Sequence, residues 1–404
     1  MDRSQGAPIG RISALDGLRG LASLIVVIHH ALITYPALAG LYADRSPIAD
    51  VGSLPWWLVN TPLHLLWAGG EAVFVFFVLS GLVLALLVRK QKRFSWAAYY
   101  PSRLLRLYLP VWASIVFAVL VFATVRAISP EAGVAWVADR GTDLNLASIM
   151  QASLFLRGTL AYNNPLWSLF WEVLFSLLLP IFVLVLMRSR IGWRMRMGIV
   201  FAMMVVGAVL RSDFPLIGHP LFFLSMFAVG VVIAADIDAF AALASRIEGR
   251  RRPRAAWSGL LLLGLLALCS YWFLQQASLP IQIMHLTYVI QVAGAALVIF
   301  CVAFNPHVGA PFEFPAMQWL GRVSFSLYLV HDPILLATNH LTGGTAQPIV
   351  LIVGVPASIA MAWVFHVLAE RPSHRLAKHV SRGVEGWFGA NRASSVTDAG
   401  FRSR

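Results

Sequence analysis

Of the 404 residues, 59% are hydrophobic and only 12% charged, and the mean hydropathy is +0.76, a balance that excludes a water-soluble globule. The net charge of +13 does not mark a nucleic-acid binder, because the cations fall between apolar runs rather than on one basic face. Cys269 and Cys301 lie inside apolar runs, which leaves neither a disulfide framework nor a zinc-type spacing.

Apolar stretches of roughly 17 to 25 residues recur along the chain, each long enough to cross about 30 Å of hydrocarbon as a helix. None alternates with period two, so the expected fold is an all-α polytopic transmembrane helical bundle rather than a barrel. In chain order the spans are expected near 15–37, 69–88, 105–126, 166–187, 197–211, 216–235, 256–275, 284–304, 318–338 and 348–368, which makes ten, with both ends on one side. The first is read as an uncleaved helix, since no small-residue cleavage site follows it.

The segments between these spans orient the chain. Of 31 Lys and Arg residues, only Arg45, Arg126, Arg140, Arg157 and Arg211 fall on the outward side, so the positive-inside rule places both termini in the cytoplasm. The clusters at Arg89, Lys90, Lys92 and Arg93, at Arg188, Arg190, Arg194 and Arg196, and at Arg250, Arg251, Arg252 and Arg254 read mostly as orientation signals and contacts to anionic lipid. The two long outward segments, 38–68 and 127–165, are rich in Trp, Pro and small residues and are expected to fold over the outer mouth. Residues 1–375 are expected to form one transmembrane domain, and 376–404 a short, basic, disordered cytoplasmic tail, with no repeat and no appended soluble domain.

Titratable groups inside spans cost at least a few kcal/mol each and usually face a cavity or a partner. Arg19, His30, Glu71, Arg106, Glu172, His331 and Asp332 are the residues of this kind. A buried structural ion pair is the alternative for any single one, while several on different helices point to a polar chamber. On the first span Arg19 and His30 are eleven residues apart, close to three turns, so they share a face about 16 Å apart in height, with Asp16 on the same stripe. His29 points about 100° away and reads as a packed or hydrogen-bonded neighbour. In "YYPSRLLRLYLP", Arg103 and Arg106 face one way at a helix start, an arrangement suited to phosphate. "NPLWSLFWEVLFSLLLP" places Glu172 near the outer end of the fourth span between Trp167 and Trp171, as a group to bind a sugar hydroxyl or orient a histidine, with the tryptophans stacking on a sugar ring. "LGRVSFSLYLVHDPIL" puts Arg322 at the cytoplasmic mouth and Tyr328, His331 and Asp332 deeper, where His–Asp before Pro333 also reads as a local hydrogen-bonded break in the helix.

Together these segments resemble the family-three membrane acyltransferases, which transfer acetyl and other acyl groups to carbohydrates and some antibiotics. The likeness is carried by "LDGLRGLASLIVVIHHA", "FFVLSG", "RLLR", "WSLFWEVLF", "WLGRVSFSLYLVHDP" and "ERP", in that order from about residue 12 to 375. The resemblance implies that Arg19 and His30 are the family's arginine and catalytic histidine, that Arg103 and Arg106 are its Arg-x-x-Arg pair, and that Glu172 and His331 are its WSLxxE glutamate and late-helix histidine. The chain departs from the family at Phe74, where many members carry an acid one turn after the position of Glu71, and at Ser176, where an aromatic is frequent. The fused hydrolase-like domain of many carbohydrate-modifying members is not read here, so a stand-alone enzyme is expected.

On this reading acyl-coenzyme A, a co-substrate rather than a bound cofactor, docks from the cytoplasm onto Arg19, Arg103 and Arg106. His30 then acts as general base on an acceptor hydroxyl, or carries the acyl group transiently. Glu71, Ser80, Glu172, Trp167, Tyr328, His331 and Asp332 are the residues expected to hold the acceptor, steady the oxyanion or support the polar chamber. The acceptor is a carbohydrate, glycolipid or small glycoside, the place a bacterial cytoplasmic membrane, and no metal is expected. A proton-coupled transporter is the rival from another class, although the paired broken helices and repeats of transporters are not found. A membrane scaffold would leave the Arg19–His30 stripe unused, and the His-x4-Asp signature of glycerolipid acyltransferases, GxGxxG and the P-loop are absent.

Overall fold

A backbone inside hydrocarbon must satisfy its own N–H and C=O groups, and every long element of this chain is a helix, with no β-strand among the described residues. The computed structural model describes residues 13–43, 50–91, 93–128, 146–154, 163–275, 277, 279–343 and 347–401. The principal helices are α1 (Ser13–Leu32), α2 (Gly69–Arg89), α3 (Trp96–Ile128), α4 (Leu166–Phe182), α5 (Trp193–Leu210) and α6 (Pro215–Ala235). They continue with α7 (Pro253–Leu268), α8 (Ile281–Phe304), α9 (Pro315–Leu341), α10 (Val355–Phe365) and α11 (Arg371–Phe401), the last two joined through a π turn at His366–Glu370.

Eight helices among the described residues are long and apolar enough to cross a membrane: α1, α2, α3, α4 with its π-turn extension to Met187, α5, α6, α8, and the continuous stretch Val350–Trp387. The chain is thus a multi-pass membrane protein. Two of the ten expected spans fall outside this set for physical reasons. The one near 256–275 is split, because α7 ends at Leu268 and a separate short helix, Ser270–Gln275, follows. The one near 318–338 lies within α9, 27 residues long, whose Gln318, Arg322, Tyr328, His331 and Asp332 lower its hydropathy. Tyr328, His331 and Asp332 are tolerated because Ser326 to Pro333 are all buried among other helices, while Arg322 is exposed.

The tail expected to lack structure from 376 is helical as far as Phe401, and α11 runs through the expected boundary at 375/376. Its sequence contains no helix-breaking proline beyond Pro372, which stands in the first turn where a missing N–H costs nothing. Arg45, Arg140 and Arg157, Lys92 and most of the second outward segment lie outside the described residues.

The first outward segment folds back over its end of the bundle. Pro36–Ala43, Leu54–Asn60 and the turn Pro62–Leu66 are helical, and Ser53 and Thr61 side chains cap the latter two by accepting from Trp56 N and Leu63 N. Ile33, Leu38, Val59 and Trp67 of this layer bury Trp272 in a second, smaller core. At the opposite, basic end, some cations do more than orient the chain. Arg89 donates to Asp238 at 2.5 Å and to the Ala234 carbonyl, and Arg196 donates to Asp236 at 2.7 Å and to the Leu186 carbonyl.

Small residues let two helix pairs approach backbone to backbone. A Cβ on Gly81 of α2 would collide with the Phe227 carbonyl of α6, and one on Gly230 with the Val78 carbonyl. In the same way a Cβ on Gly321 of α9 would collide with the Asp16 carbonyl of α1, and one on Gly20 would meet Gly321 N at 2.6 Å. Helix association in lipid relies on such close packing, since the tails are as apolar as the side chains. Replacing Gly321 with Val is therefore expected to part α1 from α9, destabilising the bundle by about 1–3 kcal/mol as overpacking does. Thermal unfolding in detergent tests this, and an unchanged midpoint would refute it.

Candidate active site

Proline has no N–H to offer the residue four positions before it, so Pro333 inside α9 leaves the Leu329 carbonyl without its helical donor. The chain supplies one from elsewhere: Asn163 Nδ2 donates to the Leu329 carbonyl at 2.9 Å. The helix is therefore unbroken from Pro315 to Leu341, and the local break that His–Asp–Pro suggested is absent. The adjoining residues are clamped as well. Asn164 N donates to Asp332 Oδ2 at 2.8 Å, Tyr328 Oη donates to the Pro165 carbonyl at 3.1 Å, and Ser168 Oγ lies 2.6 Å from Tyr328 Oη. The start of α4 is thus bound to the middle of α9, beside His331.

His331 meets His30 there. His30 Nδ1 and His331 Nε2 are 2.8 Å apart, the rings stack with centroids 5.0 Å apart, and both side chains are buried. The other ring nitrogen of His331, Nδ1, is 2.9 Å from the Leu327 carbonyl. Helix register explains the meeting. α1 and α9 touch at Gly20 and Gly321, and His30 and His331 each follow ten residues later, about 15 Å further along two helices that run the same way. His29 turns aside as its position predicts, with Nδ1 2.9 Å from the Trp67 carbonyl and its ring stacked on Trp67.

Nearer the basic end of α1 lies a cavity of about 650 Å³. Asp16 and Arg19 of α1, Phe76 and Ser80 of α2, Lys90 just after it, and Arg103 and Arg106 of α3 line it, together with Glu172, Phe325, Glu370 and His374. The exposed side chains of Arg19 and Arg106 give it a cationic wall. Arg103 is held: its Nη2 donates to Glu172 Oε1 at 2.7 Å and its Nε to Ser176 Oγ at 3.1 Å. Ser80 Oγ reaches the same Glu172 oxygen at 3.4 Å.

Glu172 therefore stands in the cavity of the arginines, not beside the histidines where a place near an outer helix end put it. The reason is the depth at which α4 begins: Asn163, Asn164 and Pro165 already lie against residues 328–332 of α9, and two turns further on Glu172 comes level with Arg103. Trp167 packs against Phe77 and Phe223. Glu71 belongs to neither group. It accepts from Trp272 Nε1 at 2.7 Å and Gln291 Nε2 at 2.9 Å, with His64 Nε2 at 3.6 Å, and so fastens the folded outward segment to the bundle. Phe74 lies edge-on to Tyr288.

His30, Tyr328 and His331 are not on the cavity wall, but ring contacts lead to them: Phe76 of the wall is 6.0 Å from Tyr328, and Tyr328 is 6.0 Å from His331. Sequence reasoning missed Asn163, Ser168, Glu370 and His374. Glu370 accepts from Ser326 Oγ at 2.6 Å and from His366 Nδ1 at 2.9 Å, within the π turn. Its place in "ERP" was the available signal, whereas Asn163 lies in a segment without periodicity.

A family model described as an acyltransferase domain matches residues 12–367. The acyltransferase MdmB of Streptomyces mycarofaciens is 26% identical over 397 residues, covering 91% of this chain and 92% of that protein. No solved structure matches.

Replacing Asn163 with Ala strands the buried Leu329 carbonyl, and the expected cost is about 1–3 kcal/mol. Pro333→Ala restores an N–H to that carbonyl, so the double variant is expected to recover most of the loss. A double-mutant cycle on thermal midpoints measures the coupling, and additive losses would disprove the compensation.

Proposed function

The chain belongs to this acyltransferase family, hence is an enzyme and not the transporter considered above, and on that premise we propose that it moves an acyl group, acetyl in the simplest case, from cytoplasmic acyl-coenzyme A to a hydroxyl of a carbohydrate or glycoside reached from the other face. The bacterial cytoplasmic membrane is the setting this reading implies, in keeping with the bacterial relative.

The observation that carries the reading is one cavity that gathers Arg19, Arg106 and Lys90 around the fixed Arg103, with Arg19 on the same helix as His30 and about three turns below it. Guanidiniums recognise phosphate by paired, charge-assisted hydrogen bonds, and coenzyme A brings several phosphates at one end of a narrow arm. With the phosphates at Arg19 and Arg106, that arm runs along α1 past Phe76 toward His30. Glu172 and Ser176 hold the Arg103 guanidinium in one orientation, so its ordering cost is met before the donor arrives.

At the upper end the acceptor hydroxyl gives its proton to the lone pair of His30 as its oxygen attacks the thioester carbonyl. The tetrahedral oxyanion collapses, the C–S bond breaks, and the departing thiolate takes the proton from the imidazolium, leaving an ester and free coenzyme A.

Release of free thiol from acetyl-coenzyme A by the purified protein in nanodiscs is expected to fall at least a hundredfold in His30→Ala, the scale on which loss of a general base acts. Full activity in that variant would reject the reading. Replacing Arg19 and Arg106 together with Gln is expected to weaken coenzyme A binding by tenfold or more, each charge-assisted bond being worth about 1.5–3 kcal/mol. Unaltered affinity by calorimetry would remove the cavity from the donor path.

A further inference from the structure

A histidine used as a base must present its lone pair on the nitrogen that faces the substrate, and which nitrogen that is depends on the hydrogen bond made by the other. We infer that His331 is a positioning residue that fixes the tautomer of His30, so that Nε2 is the reacting nitrogen. This inference rests on the reading of His30 as the reacting group.

The assignment follows from the ends of a short chain of bonds. The Leu327 carbonyl can only accept, so His331 Nδ1, 2.9 Å away, carries the hydrogen. A neutral imidazole protonated at Nδ1 has its lone pair on Nε2, and that atom is 2.8 Å from His30 Nδ1. His30 Nδ1 must then donate, which puts the His30 lone pair on Nε2. The geometry holding His331 is itself over-determined: Asn163 completes the helix at Leu329, Asn164 N binds the adjacent Asp332, and Ser168 and Pro165 hold Tyr328 one turn earlier. When His30 Nε2 takes the acceptor proton, the positive charge that forms is shared through its Nδ1–H with the lone pair of His331. As the proton passes on to the thiolate, the pair returns to its starting tautomers.

Two variants of His331 separate this role from a merely structural one. His331→Gln keeps an acceptor, the carboxamide oxygen, for His30 Nδ1–H, while His331→Leu keeps bulk without an acceptor. Thiol release is expected to stay within about tenfold of the unmodified enzyme in the Gln variant and to fall a hundredfold or more in kcat in the Leu variant, with donor KM unchanged in both. Equal loss in Gln and Leu, or a fully active Leu variant, overturns the inference. Nitrogen-15 NMR of the histidine-labelled full-length chain in nanodiscs supplies a readout that needs no turnover. A protonated Nδ1 and an unprotonated Nε2 are expected for His30, and the opposite pattern overturns the proposal whether or not the variants fold. His30→Ala run alongside distinguishes the two levels: an active His30→Ala rejects the role of His30 itself, while an inactive one beside a fully active His331→Leu rejects only the role given to His331.

Discussion

The close approach of α1 to α9 is the constraint on which the rest depends. Neither Gly20 nor Gly321 leaves room for a Cβ, because the atoms that would meet it are backbone. Backbone does not move aside as a flexible side chain does. With that contact fixed, equal spacing along two helices of like direction brings His30 level with His331 and Asp16 and Arg19 level with the basic mouth. The site is therefore a property of helix register more than of any loop. A slip of one residue would rotate the side chains by about 100° and separate the histidines.

The cavity shows how a low-dielectric protein keeps several cations together. Arg103 is paired with Glu172 at 2.7 Å, and the carboxylates of Asp16 and Glu370 share the wall with Arg19, Arg106 and Lys90. Glu370 is itself restrained by Ser326 and His366. Uncompensated buried charge is costly, while paired and hydrogen-bonded charge is tolerated. Arg19 and Arg106 stay exposed on the wall, whereas Arg103 and Glu172 are fixed to each other. Arginine and glutamate residues named together by sequence thus divide into those that present charge and those that hold shape.

Much of this was legible in sequence, and what was not has a physical cause. The stripe of Asp16, Arg19 and His30 follows from helix periodicity, and so does the turning away of His29. Arg103 and Arg106 also share the cavity that their spacing on one face suggested. Glu172 was misplaced because a sequence shows where a span starts but not how deep its first turn is sunk among its neighbours. The missing N–H of Pro333 was visible, yet its remedy, Asn163, is 170 residues away in the chain and in a stretch without pattern. Glu71 looked like a site residue because a carboxylate in an apolar run must have partners; those partners are Trp272 and Gln291, away from the cavity wall, with His64 of the folded segment at 3.6 Å.

The folded segment that carries Trp67 reaches α1 through His29. Trp67 is buried against Trp272 and His64, and its carbonyl and ring both engage His29. His29 in turn lies edge-on to His30 at 5.4 Å between centroids. His30 is thus steadied from α9 by His331 and from the folded outward segment by way of its own neighbour. A ring packed on two sides keeps few rotamers. The placement of His30 thus depends both on the α1–α9 register, through His331, and on the packing of the folded segment, through Trp67 and His29.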